Sequence, residues 1–452
     1  MASIANRSAA TRHGRDQALR FRPEAVLAAM AAGLLAILLM WWHDGPQLGS
    51  PGDVITSAGD VCGLLGGYGV VVQVALMARL PPLERGVGAD RLARWHARNG
   101  RWVVCILVAH ALLIIWGYAV SANAPLTSEA WSVVTTQPDV LMATAALFLL
   151  VGIGIVSLRA ARRRLRYETW YYLHFYTYLA IALAFSHQFA VGPDFVPLAN
   201  RIGWSALYAT VGALLLWYRV LAPVRLSRRH RLQVAGVRRE APDVVSVILS
   251  GRRLADLGVA PGQFFRWRFL TRDLWWSSHP YSVSGLPQKD LLRITVRDRG
   301  DHSRSLGWLR PGTRVIAEGP YGAFTAAAGR PRRRILLLAG GVGITPLRTM
   351  FERLPGQLTL VYRASSPRDV VFRRELDAVA RARGGTVRYL LGSRAELGWD
   401  PLSAGHLMEL VPGLHRHEVY VCGPPGMTAA AVAALRQAGV PRKRIHREAF
   451  DF

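Results

Sequence analysis

Residues 95–110, WHARNGRWVVCILVAH, set His96 and His110 fourteen positions apart on a stretch that carries no charge beyond Arg101. At a helical rise of about 1.5 Å per residue that interval is roughly 21 Å, most of the hydrocarbon depth of a bilayer. A second stretch, residues 170–188, WYYLHFYTYLAIALAFSHQ, repeats the arrangement with His174 and His187 thirteen positions apart. Between Asp44 and Arg229 these four are the only histidines.

A lone histidine in an apolar helix is ordinarily a packed, hydrogen-bonded side chain. Histidine is costly in hydrocarbon, however, and two matched pairs at two depths read as ligands. Neutral imidazoles facing each other suit a six-coordinate haem iron. Fourteen residues at about 100° each return His96 and His110 to nearly one face, whereas thirteen leave His174 and His187 well apart in azimuth. The second helix is therefore expected to bend, or to carry a π-bulge, between its two histidines.

The rest of the chain frames that reading. Of 452 residues 51% are hydrophobic and the mean hydropathy is +0.19, too apolar for a simple soluble protein, so two or three domains are expected. Residues 1–22 form a basic tail with Arg7, Arg12, Arg15, Arg20 and Arg22. The uncharged run 25–42 is long for a signal peptide and no small-residue cleavage site follows it, so it reads as a first transmembrane helix. Further spans are expected near 54–78, 102–120, 140–158, 169–189 and 203–221, six in all.

Loop charge sets the orientation. Arg79, Arg85, Arg91, Arg94, Arg98 and Arg101 follow the second span, and Arg159, Arg162, Arg163, Arg164 and Arg166 the fourth, while the alternate loops hold only Arg201. Positive loops stay inside, so both termini and everything past residue 222 are expected in the cytoplasm of a multi-pass cell-membrane protein, with His96 and His174 inner and His110 and His187 outer. This distribution accounts for the net charge of +27 through topology and anionic lipid, and argues against nucleic acid as a partner.

From residue 223 to 328 the texture changes to short β-branched runs, 244–249, 264–269, 291–296 and 313–318, separated by Pro-Gly turns, the pattern of an antiparallel β-barrel. His279-Pro280-Tyr281-Ser282 offers a flat face and a hydroxyl to a ring system such as a flavin, although read alone it is equally well strand packing. Arg297 and the run Gly300–Ser303 offer charge, backbone donors and a hydroxyl to a pyrophosphate.

Residues 329–452 read as an α/β domain with a parallel sheet. A buried-strand run, 335–339, leads into Gly340-Gly341-Val342-Gly343-Ile344-Thr345-Pro346 and a helix, the geometry that brings backbone amides to a diphosphate. Strands at 358–362 and 418–422 follow, the latter ending in Cys422-Gly423-Pro424-Pro425-Gly426-Met427. Arg363, Ser365, Ser366 and Arg368 come after the second strand, where an adenosine ribose lies. They favour a 2′-phosphate and hence NADPH over NADH, unless they are merely solvated loop residues. Cys62, Cys105 and Cys422 are scattered, which excludes an iron–sulfur cluster and indicates no disulfide framework.

The order HPYS, GPYG (319–322), GGVGITP, CGPPGM and terminal Glu448-Ala449-Phe450 resembles the ferredoxin-NADP reductase module. Joined to six spans with these histidine spacings, the whole chain beyond residue 22 resembles the ferric reductase and NADPH oxidase superfamily. That family has the same thirteen-residue spacing on its fifth helix. The resemblance implies two haems b, on His96 with His174 and on His110 with His187, and FAD against Tyr281 and Ser282. His279 and Arg297 would lie near the flavin's phosphate or ribose side, with Ser303 on the pyrophosphate. It implies NAD(P)H cradled by Gly340, Gly341, Gly343 and Thr345 with Pro346, and Cys422, Gly423 and Pro424 where hydride leaves. Phe450 matches the aromatic that covers the flavin, with Asp451 and Phe452 extending past it.

Electrons would pass from cytoplasmic NAD(P)H through FAD and both haems to dioxygen or a ferric chelate outside, with a quinone or a periplasmic protein as a third outlet. A different class competes: a haem-free, membrane-anchored flavin reductase, or an electron donor to a partner protein. Homo-oligomer formation stays open.

Overall fold

A computed structural model describes residues 21–158, 164–165, 167–325, 334–392 and 394–449. It divides into two compact units, Met1–Arg219 and Val220–Phe452. The first unit is all helical. Its main elements are α1 (Pro23–His43), α2 (Pro51–Leu76), α3 (Ala89–Ala122), α4 (Val140–Ser157), α5 (Tyr167–Leu183), α6 (Phe185–Val191) and α7 (Leu198–Leu216).

Among the described residues five helices are long and apolar enough to cross a membrane: α1, α2, α3, α4 and the run Leu198–His230 that contains α7. The stretch expected as a fifth of six spans is two helices, of 17 and 7 residues, parted at Ala184. The interruption falls between His174 and His187, on the segment where a bend or a π-bulge was expected. The helix expected over 102–120 instead runs unbroken for 34 residues and carries both His96 and His110. Most of the basic loop after α4 and all but two residues of the basic tail lie outside the described residues.

Helix α2 begins on a Ser50 cap, whose hydroxyl accepts from Asp53 N at 3.2 Å, followed by Pro51. It packs along α3 through small residues. A Cβ added at Gly59 would stand 2.8 Å from Ile114, one at Gly63 2.8 Å from His110 and one at Gly69 2.6 Å from Val103. Where lipid removes most of the hydrophobic drive for helix pairing, glycines admit the backbone approach that van der Waals attraction needs.

The second unit starts with α8 (Ala222–His230) and a six-stranded antiparallel sheet: β1 (Gln233–Ala241), β2 (Val244–Ser250), β3 (Phe264–Phe269), β4 (His279–Gln288), β5 (Leu291–Arg297) and β6 (Val315–Tyr321). The spatial order is β1-β2-β5-β4-β3-β6, and a bridge between Gln233 and Arg314 draws the two edges together. Strand β3 alternates, with Phe265, Trp267 and Phe269 fully buried and Arg266 and Arg268 between them, the period-two pattern of a half-buried strand.

A parallel sheet follows, in the order β11-β10-β7-β8-β9, built of β7 (Arg334–Gly340), β8 (Gln357–Ala364), β9 (Thr386–Leu391), β10 (Glu418–Gly423) and β11 (Ile445–Ala449). Helices α9 (Ile344–Arg353), α10 (Arg373–Arg383), α11 (Ala404–Leu410) and α12 (Pro425–Gln437) connect and cover it. Every residue of β7 after Arg334 is buried, as a central strand covered on both faces requires. Ala241, Val244 and Phe324 share a core with Ile344, Leu347 and Met350, so the two sheets of this unit pack together.

Candidate cofactor sites

In the helical unit the glycine seam brings α3 close enough for backbone of α2 to hold its histidines. His110 Nδ1 lies 2.8 Å from Gly59 O, and His96 Nδ1 3.1 Å from Gln73 O. On α6, His187 Nδ1 lies 2.5 Å from Ala184 O, the carbonyl at the break. A carbonyl only accepts, so each Nδ1 carries the proton and each Nε2 is left as the basic nitrogen. This is the tautomer and the bracing seen around metal-bound imidazoles.

The rings of His96 and His174 have centroids 5.9 Å apart at 70°. Two imidazoles bound to opposite sides of one metal through bonds of about 2 Å would stand about 6 Å apart, so the spacing fits a shared iron. Gln73 Nε2 is 3.1 Å from His96 Nε2, and this amide must move aside for ligation at that nitrogen. His110 and His187 both line a cavity of about 210 Å³, with Gly63 and Gly67 in its wall. The Trp204 ring packs on Gly67, where a Cβ would come within 2.9 Å of it. Among the described residues no group of three or more His, Cys, Asp or Glu gathers where a bare ion would be held.

In the second unit Tyr281 and Ser282 lie on β4, paired with Phe265 and Phe264 of β3, and Pro280 pairs with Arg266. Trp267 Nε1 donates to Tyr281 O at 3.0 Å. Tyr281 Oη is 3.1 Å from His302 Nδ1, and the rings of His279 and His302 lie 3.6 Å apart. Burial, then the neighbouring His279, lowers the His302 pKa to about 3, and burial raises that of Tyr281, so Tyr281 and His302 are both uncharged at neutral pH. Ser282 Oγ and His302 Nε2 are buried with no hydrogen-bond partner among the described residues. Two such atoms beside a buried phenol are what a polar ring system needs to dock.

His302 was visible in the Gly300–Ser303 run, but its partnership with Tyr281 was not. Ser303, assigned there to a pyrophosphate, has its hydroxyl engaged with Arg299 N at 2.7 Å and Gly300 O at 2.9 Å. Arg297 is held by Asp243 at 2.5 Å, and its Nη1 would stand 3.3 Å from a Cβ on Gly341, which places it at the glycine turn.

The glycine turn sits between β7 and β10, where the strand order reverses, the position at which open α/β sheets bind ligands. Gly341 has φ +53°. A Cβ on Gly343 would overlap the Cys422 carbonyl, and one on Gly340 would meet Met427 and stand 3.2 Å from Pro424. The GGVG and CGPPGM turns are therefore in contact, with Gly423 Cβ-less against Gly340. Thr345 Oγ1 donates to Val342 O at 3.0 Å, and Pro346 lies in the first turn of α9, where a missing N–H costs no hydrogen bond.

Cys422 is fully buried, and burial, with Glu448 nearby, pushes its thiol well above the usual range, so it is neutral. Arg363 Nη1 donates to Ala364 O and Leu390 O, at 2.6 and 3.0 Å, whereas Ser365 and Arg368 are exposed. Asp369 accepts from Ser366 N at 3.0 Å, which ties up the acidic group of that loop. Phe450 lies outside the described residues.

Three family models match, in order along the chain: "Ferric reductase like transmembrane component" at residues 62–185, "FAD-binding domain" at 229–325 and "Oxidoreductase NAD-binding domain" at 337–433. The chain belongs to the ferric reductase and NADPH oxidase superfamily. Within that superfamily it is a membrane oxidoreductase with an NAD(P)H-dependent flavin module.

The module is 33% identical over 192 residues to ferredoxin–NADP reductase B of Sorangium cellulosum, covering 38% of this chain and 77% of that protein. The chain is 29% identical over 267 residues to an NADPH oxidoreductase of Mycobacterium tuberculosis, covering 55% of this chain and 68% of that protein. A glycine betaine monooxygenase reductase subunit of Pseudomonas aeruginosa is 28% identical over 246 residues, and the chain spans 64% of its length. Among solved structures, the ferredoxin reductase in carbazole 1,9a-dioxygenase matches at 25% identity and TM-score 0.42, over 48% of this chain and 68% of that one.

Proposed function

We propose that this chain carries electrons from cytoplasmic NAD(P)H across the cell membrane to dioxygen or a ferric chelate, with FAD and two haems b as resident groups. The observation that carries the reading is the bracing of His96 and His110 by Gln73 O and Gly59 O of one neighbouring helix, with Nδ1 to oxygen 3.1 and 2.8 Å. It fixes both basic nitrogens on α3, while His174 and His187 offer imidazoles across the two gaps.

When bound, FAD would supply two-electron acceptance with one-electron release, and iron held by His96 with His174 and by His110 with His187 would supply one-electron transfer. The chain's own residues do the rest. Gly341 and Gly343, with the N-terminus of α9, bind the dinucleotide phosphates, and Arg297 adds a positive charge beside them. Exposed Ser365 and Arg368 face the ribose side and favour NADPH. Tyr281, Ser282 and His302 hold the flavin ring, His279 stacks behind His302, and neutral Cys422 packs at the end of β10 where nicotinamide arrives. Phe450 follows β11 by one residue and is assigned the stacking role. The fifth of the six spans is assigned to α5 and α6 together, and the arginines of the inner loops support a cytoplasmic reductase unit.

Reduced-minus-oxidised spectra of the purified full chain test this. Two low-spin b-type components are expected. His187→Ala should remove one of them and stop electron flow to an outside acceptor, while NADPH-to-dye activity survives. A yellow, haem-free protein with full dye activity would overturn the membrane half of the reading.

A further inference from the structure

The two halves of the reductase unit are joined by a half-buried charge network centred on Glu375, at the start of α10. Arg293 of β5 grips it with two parallel bonds, Nη1 to Oε1 at 2.8 Å and Nη2 to Oε2 at 2.7 Å. Arg348 of α9 donates Nε to the same Oε2 at 2.8 Å. Arg348 also donates Nη1 to Ser284 O at 2.8 Å and to Glu352 at 3.1 Å. Arg238 of β1 closes the ring, with Nη2 3.2 Å from Glu375 Oε1. Phe372, one residue before α10 and held at φ +62°, lies under both guanidinium groups, 4.3 Å from Arg293 and 5.9 Å from Arg348.

The location matters more than the number of bonds. Ser284 lies two residues beyond Ser282 on the flavin strand, and Arg348 lies one turn into the helix that opens at the glycine turn. One guanidinium therefore ties the backbone that carries the flavin groups to the helix that carries the dinucleotide groups. Gly262 N donates to Thr349 Oγ1 at 3.2 Å beside it, a second bond of the same kind. The side chains of Arg293 and Arg348 are only 13% exposed, so solvent and salt screen these pairs less than surface ones. A bidentate fork also fixes direction, which a point charge does not.

We propose that Glu375, acting through Arg348 and Arg293, is a positioning residue for hydride transfer: it sets the nicotinamide-binding helix in register with the flavin-binding strand. The burial of Glu375 opposes ionisation, but its bonds and charge contacts with the two arginines outweigh that and hold its pKa near 2, so the network stays ionised at working pH. The inference rests on the flavin-reductase part of the reading above and is independent of the haems.

The test is stopped-flow reduction of FAD by NADPH in the full-length holoprotein, with the deuterated nicotinamide run alongside. Glu375→Gln keeps the shape of the side chain but removes the charge. It should slow flavin reduction by about tenfold or more, with the NADPH dissociation constant unchanged and a larger share of the deuterium isotope effect expressed, because misplacement raises the barrier of the transfer itself. Arg348→Lys should slow it likewise, since a lysine cannot reach Ser284 O and Glu375 together. Arg229→Gln, which breaks a surface pair with Asp256 elsewhere in the unit, serves as the control and should reduce flavin at the wild-type rate. Glu375→Asp stands in should the glutamine variant not retain FAD.

Wild-type rates in both Glu375 variants, or slowing accounted for by weaker NADPH binding alone, would overturn the proposal. If the wild-type flavin itself were not reduced by NADPH, the parent reading would fail instead.

Discussion

His110 Nδ1 stands 2.8 Å from the carbonyl oxygen of Gly59, a residue 51 positions earlier in the chain. The contact exists because α2 presents glycine where α3 presents the imidazole, so ring and backbone meet with no side chain between them.

Gly63→Val follows directly. A Cβ there would lie 2.8 Å from His110 Nδ1, and a branched side chain is bulkier still. The ring is expected to be pushed off Gly59 O. In difference spectra the variant should lose the component assigned to His110 and His187 and keep the other, with dye reduction by NADPH intact.

Tyr281→Phe removes the 3.1 Å bond to His302 and leaves the ring in place. Losing one neutral hydrogen bond costs about 1 kcal/mol, so FAD should bind about fivefold more weakly with a near-normal spectrum. Tyr281→Ala, which deletes the flat face as well, should lose FAD on gel filtration.

Acid should weaken the reductase unit in two overlapping windows, told apart by substitution. His302 has a folded pKa near 3 against an ordinary 6.5, so the unfolded chain binds its proton first and stability falls as pH drops from about 6.5 to about 3. Glu375 has a folded pKa near 2 against 4.5, so its contribution is complete above about 4.5 and is lost as pH falls toward 2. Denaturant titrations of the FAD-stripped protein at a series of pH values should show both slopes. His302→Gln should flatten the first and Glu375→Gln the second.

Gly343→Ala places a Cβ on the Cys422 carbonyl, which is backbone and cannot swing away. The variant should retain FAD but bind NADPH at least tenfold more weakly, as read by quenching of flavin fluorescence on titration, with a clash of this kind costing more than about 1.4 kcal/mol.

Arg368→Ala should raise the KM for NADPH about tenfold and leave that for NADH within twofold, because an exposed guanidinium that pairs with a 2′-phosphate has no equivalent partner in NADH. Equal effects on both nucleotides would remove the assignment of this loop to the ribose phosphate.

What neighbouring residues determine is legible in the chain itself. The fourteen-residue interval places His96 and His110 on one helix face because the α-helical period is a local property, and the thirteen-residue interval raised the expectation of a bend or a π-bulge on a stretch that is interrupted at Ala184. The strand, glycine turn and helix around Gly341 were readable for the same reason, since each depends only on neighbours in the chain. The glycines of α2 were also in plain view, but their spacing acquires meaning only when α3 lies against them.

Tertiary structure alone decided the rest. The carbonyl that braces His110, the buried partnership of Tyr281 with His302, the capture of Arg297 by Asp243 and the arginines converging on Glu375 join residues 21 to 137 positions apart. Such pairings are chosen by the packing of whole elements, and no pattern within a single element records which residue will lie opposite.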